Sequence, residues 1–502
     1  MRAINLYVLT RLLNNNLYSS YEKTLSLRDE KIKVRIEEIE LINEIVIAFK
    51  QFNVPFEFVS DWFYFFHIPQ IGKEFDLLKL GENNVVINLE LKSQKVSEKK
   101  IEKQLKQNRY YLSNIADTIY SFTYVRENEE VSQLYIYDGS LKKSSFNELI
   151  DKLSEIEVPI TQDIESLFKP TEYLISPLNT PQKFLADNYY LTPQQEQIKN
   201  EIILKSQENR TMWGINGPAG TGKTLLLYDL AKSLAQKEHV CIIHSGMLSQ
   251  GHIYLNTMMD NVSVIGAKSI SKDLIENFSV VCVDETQRLY TEGLDIILES
   301  FNNGNTNTCI FSYDFAQVLS KTEYNRNNPK KLNEIQIFQE RKLTEKIRTN
   351  KEVFSFIRNM MNLNDKAKAY IKYDNIDVLY AKNVKEADTI SEYYRKKGYE
   401  FITFTPSKFV SNSVDHYAEN INSHQVIGQE FDNVIVILDK NFRYSTEGIL
   451  QAYEHPNPDY LFSRLFYQNI TRARQKLCII VLDNIDLFTK LLSIKVEIDE
   501  DL

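Results

Sequence analysis

The sequence predicts an α/β protein of about three domains, and three observations lead there. The chain has 502 residues, 43% of them apolar, with 29 Tyr and 27 Phe spread along its length, enough for each part to bury a core of its own. From Leu191 onward, short β-branched runs alternate with helical patterns in the βαβ manner, which builds parallel sheets. Four of the 15 glycines fall between 214 and 222, at the junction of a strand-like run and an amphipathic helix.

Taken in order, residues 1–150 open with a helical pattern, IKVRIEEIELINEIVIAFKQF. The β-rich runs WFYFFHI, EFDLLKL and NVVINLELK follow, and then a Lys-rich helix. Residues 151–190 carry Pro159, Pro170, Pro177 and Pro181 and read as a connector. In 191–340 the runs VCIIHSG, SVVCVDE and TCIFSYD are short β-branched runs that end in polar residues, separated by helical patterns. In 341–502 a second set appears: NIDVLYA, EFITFTP, FDNVIVILD and KLCIIVLD.

Charge and cysteines narrow the class. Lys plus Arg is 59 and Asp plus Glu is 68, a formal charge of −9, which excludes a histone-like basic binder but not a local basic footprint. Cys241, Cys282, Cys309 and Cys478 sit singly in apolar runs and read as buried thiols, not metal ligands. No run approaches the ~18 apolar residues that cross a bilayer, and MRAINLYVLTRLLNNN is too interrupted for a signal peptide. A cytoplasmic protein without membrane partners is expected.

Gly217-Pro-Ala-Gly220-Thr221-Gly222-Lys223-Thr224 satisfies GxxxxGK[ST], between the strand-like TMWGI and an amphipathic helix. Its backbone N–H groups would surround phosphates at a helix N-terminus, Lys223 would reach the β/γ-phosphates of ATP, and Thr224 would hold Mg²⁺. In VCVDETQR, a strand delivers Asp284 to the magnesium and Glu285 to the attacking water.

These residues resemble the motifs of superfamily 1 helicases, and the remaining motifs follow in order. LTPQQ (191–195) resembles the Q-motif, which implies that Gln195 reads the adenine edge. SYDFAQ (312–317) resembles motif III, supplying Asp314 and Gln317, with Tyr313 in place of the usual glycine. LTEKIRTN (343–350) resembles motif IV, with Arg348 a candidate γ-phosphate arginine. HQVIGQEFDNVIV (424–436) resembles motif V, in which Gly428 and Glu430 bridge ATP and nucleic acid. YQNITRAR (467–474) resembles motif VI, with Arg472 as arginine finger and Arg474 as its alternative. About 60 residues separate Lys223 from Asp284, leaving little room for the inserted subdomains of larger helicases. The motor is similar to the Schlafen group 3-like helicase family.

A second constellation lies in GKEFDLLKLGENNVVINLELKSQ. Glu90 and Lys92, two apart on a strand, share a face, and a hairpin brings Asp76 beside them. Two carboxylates can hold Mg²⁺ or Mn²⁺, and Lys92 can orient water. The pattern resembles PD-(D/E)xK nucleases, with Phe75 in place of the usual proline. Gln107-Asn-Arg-Tyr-Tyr111 resembles their QhxxY element, and a first-helix acid is implied, Glu44 or behind it Glu40. From Lys92 to Arg109 there are seven basic residues against two acidic ones, then Tyr110 and Tyr111. Such a segment could track a phosphate backbone and stack bases, or be a solvated face with core tyrosines.

The resemblances imply an N-terminal restriction-endonuclease-like domain followed by two RecA-like P-loop NTPase domains of a superfamily 1 helicase. The whole arrangement resembles single-chain nuclease–helicase immunity (Nhi-like) proteins of bacterial antiphage defence. DNA is the expected partner, with a single-stranded tracking strand, and RNA remains open. The alternatives are an ATPase switch whose nuclease domain no longer cuts, and a host repair helicase–nuclease.

Overall fold

The computed structural model describes residues 1–11, 18–27, 35–68, 73–128, 131–168, 175–344, 350–365, 373–406, 416–417, 420–453 and 460–496. The chain divides into two compact units, Met1–Tyr173 and Leu174–Leu502.

The first unit is built on one mixed sheet of β1 (Phe63–His67), β2 (Glu74–Leu80), β3 (Val85–Lys92), β4 (Thr118–Arg126), β5 (Ser132–Tyr137) and β6 (Leu141–Ser144), lying side by side in that order. Only β3 and β4 run parallel, and a parallel step needs a crossover, which the helix Glu98–Leu112 provides. Side chains alternate across the sheet. Leu77, Ile87, Leu89 and Phe122 share a core with Ile39, Ile42, Val46 and Phe49 of the helix Ile36–Gln51. A smaller core joins Ile101 and Leu105 of the crossover helix to Val125, Tyr135 and Tyr137. The connecting stretch after residue 150 starts out in this unit, where Ile160 N–H donates to Leu80 O at 2.8 Å.

The second unit holds two parallel sheets. The first has β7 (Thr211–Asn216), β8 (Val240–His244), β9 (Val262–Gly266), β10 (Val280–Asp284), β11 (Thr308–Tyr313) and β12 (Phe338–Lys342), in the order β12-β7-β11-β10-β8-β9. The second has β13 (Ile376–Ala381), β14 (Glu400–Phe401), β15 (Phe431–Leu438) and, after a small hairpin of β16 (Phe442–Tyr444) and β17 (Leu450–Ala452), β18 (Ala473–Leu482). Its order is β13-β18-β15-β14. Apart from the polar, half-buried edge strand β12, their strands read as largely apolar runs because helices cover both faces. All four cysteines are free and buried in these strands. Among the described residues, no helix is long and apolar enough to cross a membrane.

Candidate functional site

In the first sheet of the second unit, the chemistry-bearing residues gather at the carboxyl ends of the strands, where open α/β sheets bind ligands. β7 runs into the loop Gly217–Gly222, which contains Gly217, Gly220 and Thr221, and the helix Lys223–Leu234 begins directly behind it. Gly222 caps that helix with φ +79°, a left-handed conformation that a side chain would strain. Thr221 is fully buried, its hydroxyl donating to Pro218 O at 2.9 Å. Lys223 lies folded over the loop, its Nζ donating to Gly217 O at 2.7 Å and Pro218 O at 3.1 Å. Thr224 Oγ1 donates to Asp284 Oδ2 at 3.2 Å.

Asp284 sits at the tip of β10, 1% exposed. Ser312 Oγ donates to its Oδ1 at 2.5 Å, and His244 Nδ1 stands 3.6 Å from its Oδ2. Burial alone would raise the pKa of this carboxyl, but the facing His244 and Ser312 outweigh it and the net shift is downward. A buried anionic oxygen next to a hydroxyl is a donor set suited to a hard divalent cation. Thr224 and Asp284 therefore fit Mg²⁺. Neither Ser312 nor His244 was expected from the sequence. Their only signal was a polar residue at or next to the end of a largely apolar strand.

Glu285, next in the chain, takes up the left-handed region at φ +58° and is 5% exposed. Its Oε2 accepts from Gln287 Nε2 at 2.6 Å and pairs with Arg288 Nε at 3.4 Å. Gln317 Nε2 donates to Asp314 Oδ2 at 2.8 Å, while Arg288 Nη2 donates to Gln317 O at 3.0 Å. Tyr313, which replaces the expected glycine, is buried at the end of β11, its hydroxyl 2.9 Å from where a Cβ on Gly214 would stand.

The second sheet contributes two elements to this network. Arg472 Nη2 donates to Gln317 Oε1 at 2.9 Å, Nη1 to Gln429 O at 3.2 Å and Nε to Gln468 O at 3.2 Å. Its burial lowers the guanidinium pKa, while Glu285 and Glu430 oppose the shift. Arg474 pairs with Asp432 Oδ1 at 2.5 Å on β15. Gly428 has φ +76°, and a Cβ there would stand 3.1 Å from Leu178, 3.3 Å from His244 and 4.0 Å from Asp284 Oδ2. The backbone O of Glu430 accepts from Asn179 Nδ2.

Gln195 differs from expectation. Its Oε1 accepts from Thr192 N–H at 3.0 Å in a capping box, and its Nε2 donates to Thr221 O at 3.0 Å. It is 1% exposed. The amide therefore ties the start of its helix to the phosphate loop, with both ends engaged by the protein itself. Arg348 lies outside the described residues.

In the first unit, the register Leu77↔Leu89 carries on to set Asp76 level with Glu90. Lys92 Nζ lies 3.9 Å from Asp76 and 3.7 Å from Glu90. Asp76 Oδ2 accepts from Leu91 N–H at 2.7 Å. Burial first, and then the charge of Glu90, push the Asp76 carboxyl well above its ordinary value. A divalent cation would relieve that repulsion, so Asp76 and Glu90 fit one. Among the described residues, however, no three His, Cys, Asp or Glu side chains group into a metal cage.

Two placements differ from the sequence pattern. The residues of the crossover helix seen on Glu90 are Gln104 and Asn108, which the sequence pattern did not single out. Asn108 Nδ2 donates to Glu90 Oε1 at 2.7 Å and Gln104 Nε2 donates to Oε2. The reason is phase: Gln104 and Asn108 are one helical turn apart, on the face that carries the buried Leu105. Tyr111 is 5% exposed, edge-on to Tyr110, a core tyrosine unavailable for stacking on a base. Likewise Glu44 pairs with Arg126 at 2.6 Å and accepts from Tyr124 at 3.0 Å, and Glu40 also faces Arg126. The first-helix acid whose charge acts on Asp76 is Glu38, which is buried, with its own pKa raised first by that burial.

Residues 210–402 match the family described as Schlafen group 3, DNA/RNA helicase domain. No curated protein sequence matches the chain. Solved structures that match include Pif1 helicase from Bacteroides in complex with ADP-AlF3 and ssDNA, at 15% identity and TM-score 0.32, covering 62% of this chain and 98% of that one. Pif1 helicase from Candida albicans matches at 12% identity and TM-score 0.33, covering 62% of this chain and all of that one. This chain thus carries, across 210–402, a segment similar to the Schlafen group 3 helicase domain.

Proposed function

We propose that the second unit is an ATP-hydrolysing superfamily 1 motor that moves on nucleic acid, fused to a divalent-metal-dependent PD-(D/E)xK nuclease in the first unit. Two RecA-like lobes and a restriction-endonuclease-like fold belong to the same reading. One observation carries it: Asp284 is shared by Thr224 of the phosphate loop, while Arg472 from the second sheet joins Gln317 beside Glu285. Charge on a transferring phosphoryl group is stabilised by cations supplied from two lobes, and closure of the two couples hydrolysis to movement.

Lys223 exchanges the loop carbonyls for the phosphates, and Arg472 offers its guanidinium to the developing charge. Glu285 accepts the proton of the attacking water, with Gln287 and Arg288 holding its carboxylate in place. Thr224 and Asp284 would hold Mg²⁺, which would supply neutralising charge. In the first unit Lys92 orients water beside Asp76 and Glu90, and the exposed Lys95, Lys99, Lys100 and Lys106 offer a path for a phosphate backbone. DNA, with a single-stranded tracking strand, is the substrate we assign. Degradation of foreign DNA in the bacterial cytoplasm is the role that the Nhi-like resemblance supports.

A second reading, an ATPase switch with a silent nuclease domain, is favoured by one feature: both oxygens of Glu90 already accept amide hydrogens from Gln104 and Asn108. A cleavage assay on linear, circular and single-stranded DNA, omitting ATP and Mg²⁺ in turn, separates the two. Cleavage that Asp76→Ala abolishes while ATP hydrolysis persists supports the nuclease. No cleavage by the wild-type protein under any condition selects the switch. Normal ATP turnover in both Lys223→Ala and Glu285→Ala would remove the motor assignment.

A further inference from the structure

His244 is the sole polar side chain of β8, whose preceding residues Val240, Cys241, Ile242 and Ile243 are all core. It is fully buried, and among the described residues neither ring nitrogen has a partner at hydrogen-bond distance. An apolar residue would fill this position without the cost of desolvating an imidazole. The polar ring therefore calls for a use.

Its surroundings supply one. The parallel register sets His244 beside Asp284, and its Nδ1 is 3.6 Å from Asp284 Oδ2, the same oxygen that accepts from Thr224 Oγ1 at 3.2 Å. The other oxygen, Oδ1, is already fixed by Ser312 at 2.5 Å. Without His244, the outer oxygen of this carboxylate would be steered by the Thr224 hydroxyl alone. The ring is in turn held on two sides. His252 packs against it with centroids 4.2 Å apart, and is itself anchored by accepting from Ser249 N–H at 2.9 Å. From the second sheet, Gly428 approaches so closely that a Cβ would meet His244 Cε1 at 3.3 Å.

We propose that His244 is a positioning residue for the magnesium carboxylate: its Nδ1 edge holds Asp284 Oδ2 in the rotamer that faces Thr224, with Gly428 packed over the ring. At 3.6 Å the contact is polar but longer than a hydrogen bond, so it orients Asp284 Oδ2 and leaves that oxygen open toward the cation. Groups that orient a metal-binding carboxylate in this way change metal affinity about 10–100-fold when removed. This rests on the ATPase reading above, and it places part of the metal site's order in a residue that the second sheet touches.

The test uses the full chain and a fluorescent ADP analogue, titrated with Mg²⁺, and separately with Mn²⁺ followed by electron paramagnetic resonance. His244→Leu keeps the bulk and removes the polar edge; His244→Asn keeps a donor at the Nδ1 position. The expected result is a rise of about 10-fold or more in the Mg²⁺ and Mn²⁺ concentrations for half-saturation in His244→Leu. Asn should restore most of it, and nucleotide affinity in EDTA should be unchanged in both. Wild-type metal dependence in His244→Leu would overturn the proposal, as would equal loss of nucleotide with and without metal, or no recovery with Asn. Absence of metal-dependent nucleotide binding in the wild-type protein would instead remove the ATPase reading itself, and this inference with it.

Discussion

Replacing Arg472 by Ala separates a catalytic arginine from a structural latch, because the two roles differ in size and in readout. The guanidinium makes three hydrogen bonds, to Gln317 Oε1, Gln429 O and Gln468 O, at 2.9–3.2 Å, from a side chain 5% exposed. Removing it leaves the buried Gln317 Oε1 unpaired, at about 1–3 kcal/mol, while Gln468 O keeps the Thr471 hydroxyl at 3.0 Å. A latch alone would therefore lower the melting temperature by about 2–5 °C and leave turnover of the folded fraction nearly intact. An arginine that meets developing phosphoryl charge is worth about 10³–10⁵ in kcat, or about 4–7 kcal/mol of barrier. The assay is single-turnover ATP hydrolysis with a single-stranded oligonucleotide, run below the variant's own melting onset. Arg472→Lys should also fail, since an ammonium cannot span Gln317 and Gln429 together. Arg474→Ala, paired instead with Asp432, is the comparator and should lose less than tenfold. A kcat for Arg472→Ala within tenfold of wild type, or a larger loss in Arg474→Ala, would refute the assignment.

Three further outcomes are expected. Asp76 has its pKa raised in the folded state, so its contribution to stability is fully present below the ordinary carboxylate range and is lost as pH rises through the folded value. Asp76→Asn should therefore melt higher than wild type at pH 8 and by less at pH 4, while losing cleavage; an equal or lower melting point at pH 8 contradicts this. His252 has its pKa pulled down to about 3, first by burial and then by His244. The second unit should accordingly lose stability as pH falls from about 6.5 toward 3, and His252→Gln should flatten that slope in a pH series of thermal melts. Gly428→Ala places a side chain at φ +76° and crowds Leu178 and His244. It should cost about 1–2 kcal/mol from the backbone alone, read as a lower melting temperature together with reduced nucleic-acid-stimulated turnover. A variant indistinguishable from wild type in both would mean that this glycine is not needed.

What could be read from the sequence was whatever local pattern encodes. The loop from Gly217 to Thr224 declares itself because strand, glycines and helix are contiguous, and Asp284 and Glu285 because an apolar strand ends on them. The shared face of Glu90 and Lys92 follows from the two-residue period of a strand. What stayed hidden depends on contacts between distant segments. Gln104 and Asn108 reach Glu90 across a crossover, and choosing them over Gln107 needs the helix phase relative to the sheet. Glu44 meets Arg126 and Tyr124 because its turn of the helix lies over β4, a pairing that the helix pattern alone does not reveal. His244 becomes meaningful only once β8 is known to lie beside β10, and Gln195 only once the phosphate loop folds back over its helix cap.

The four cysteines have a practical consequence for watching this protein move. All are buried, and burial raises their thiol pKa, to about 12 for Cys241 and upward likewise for Cys282, Cys309 and Cys478. Thiolate, the species that maleimides attack, is thus scarce and shielded in the native state. Dyes attached to two introduced surface cysteines, one on each sheet's lobe, would report lobe separation by energy transfer without first stripping the native thiols. The same four sites, silent in the folded chain, would turn reactive on unfolding and serve as an internal gauge of how often the two β-sheet cores of the second unit open.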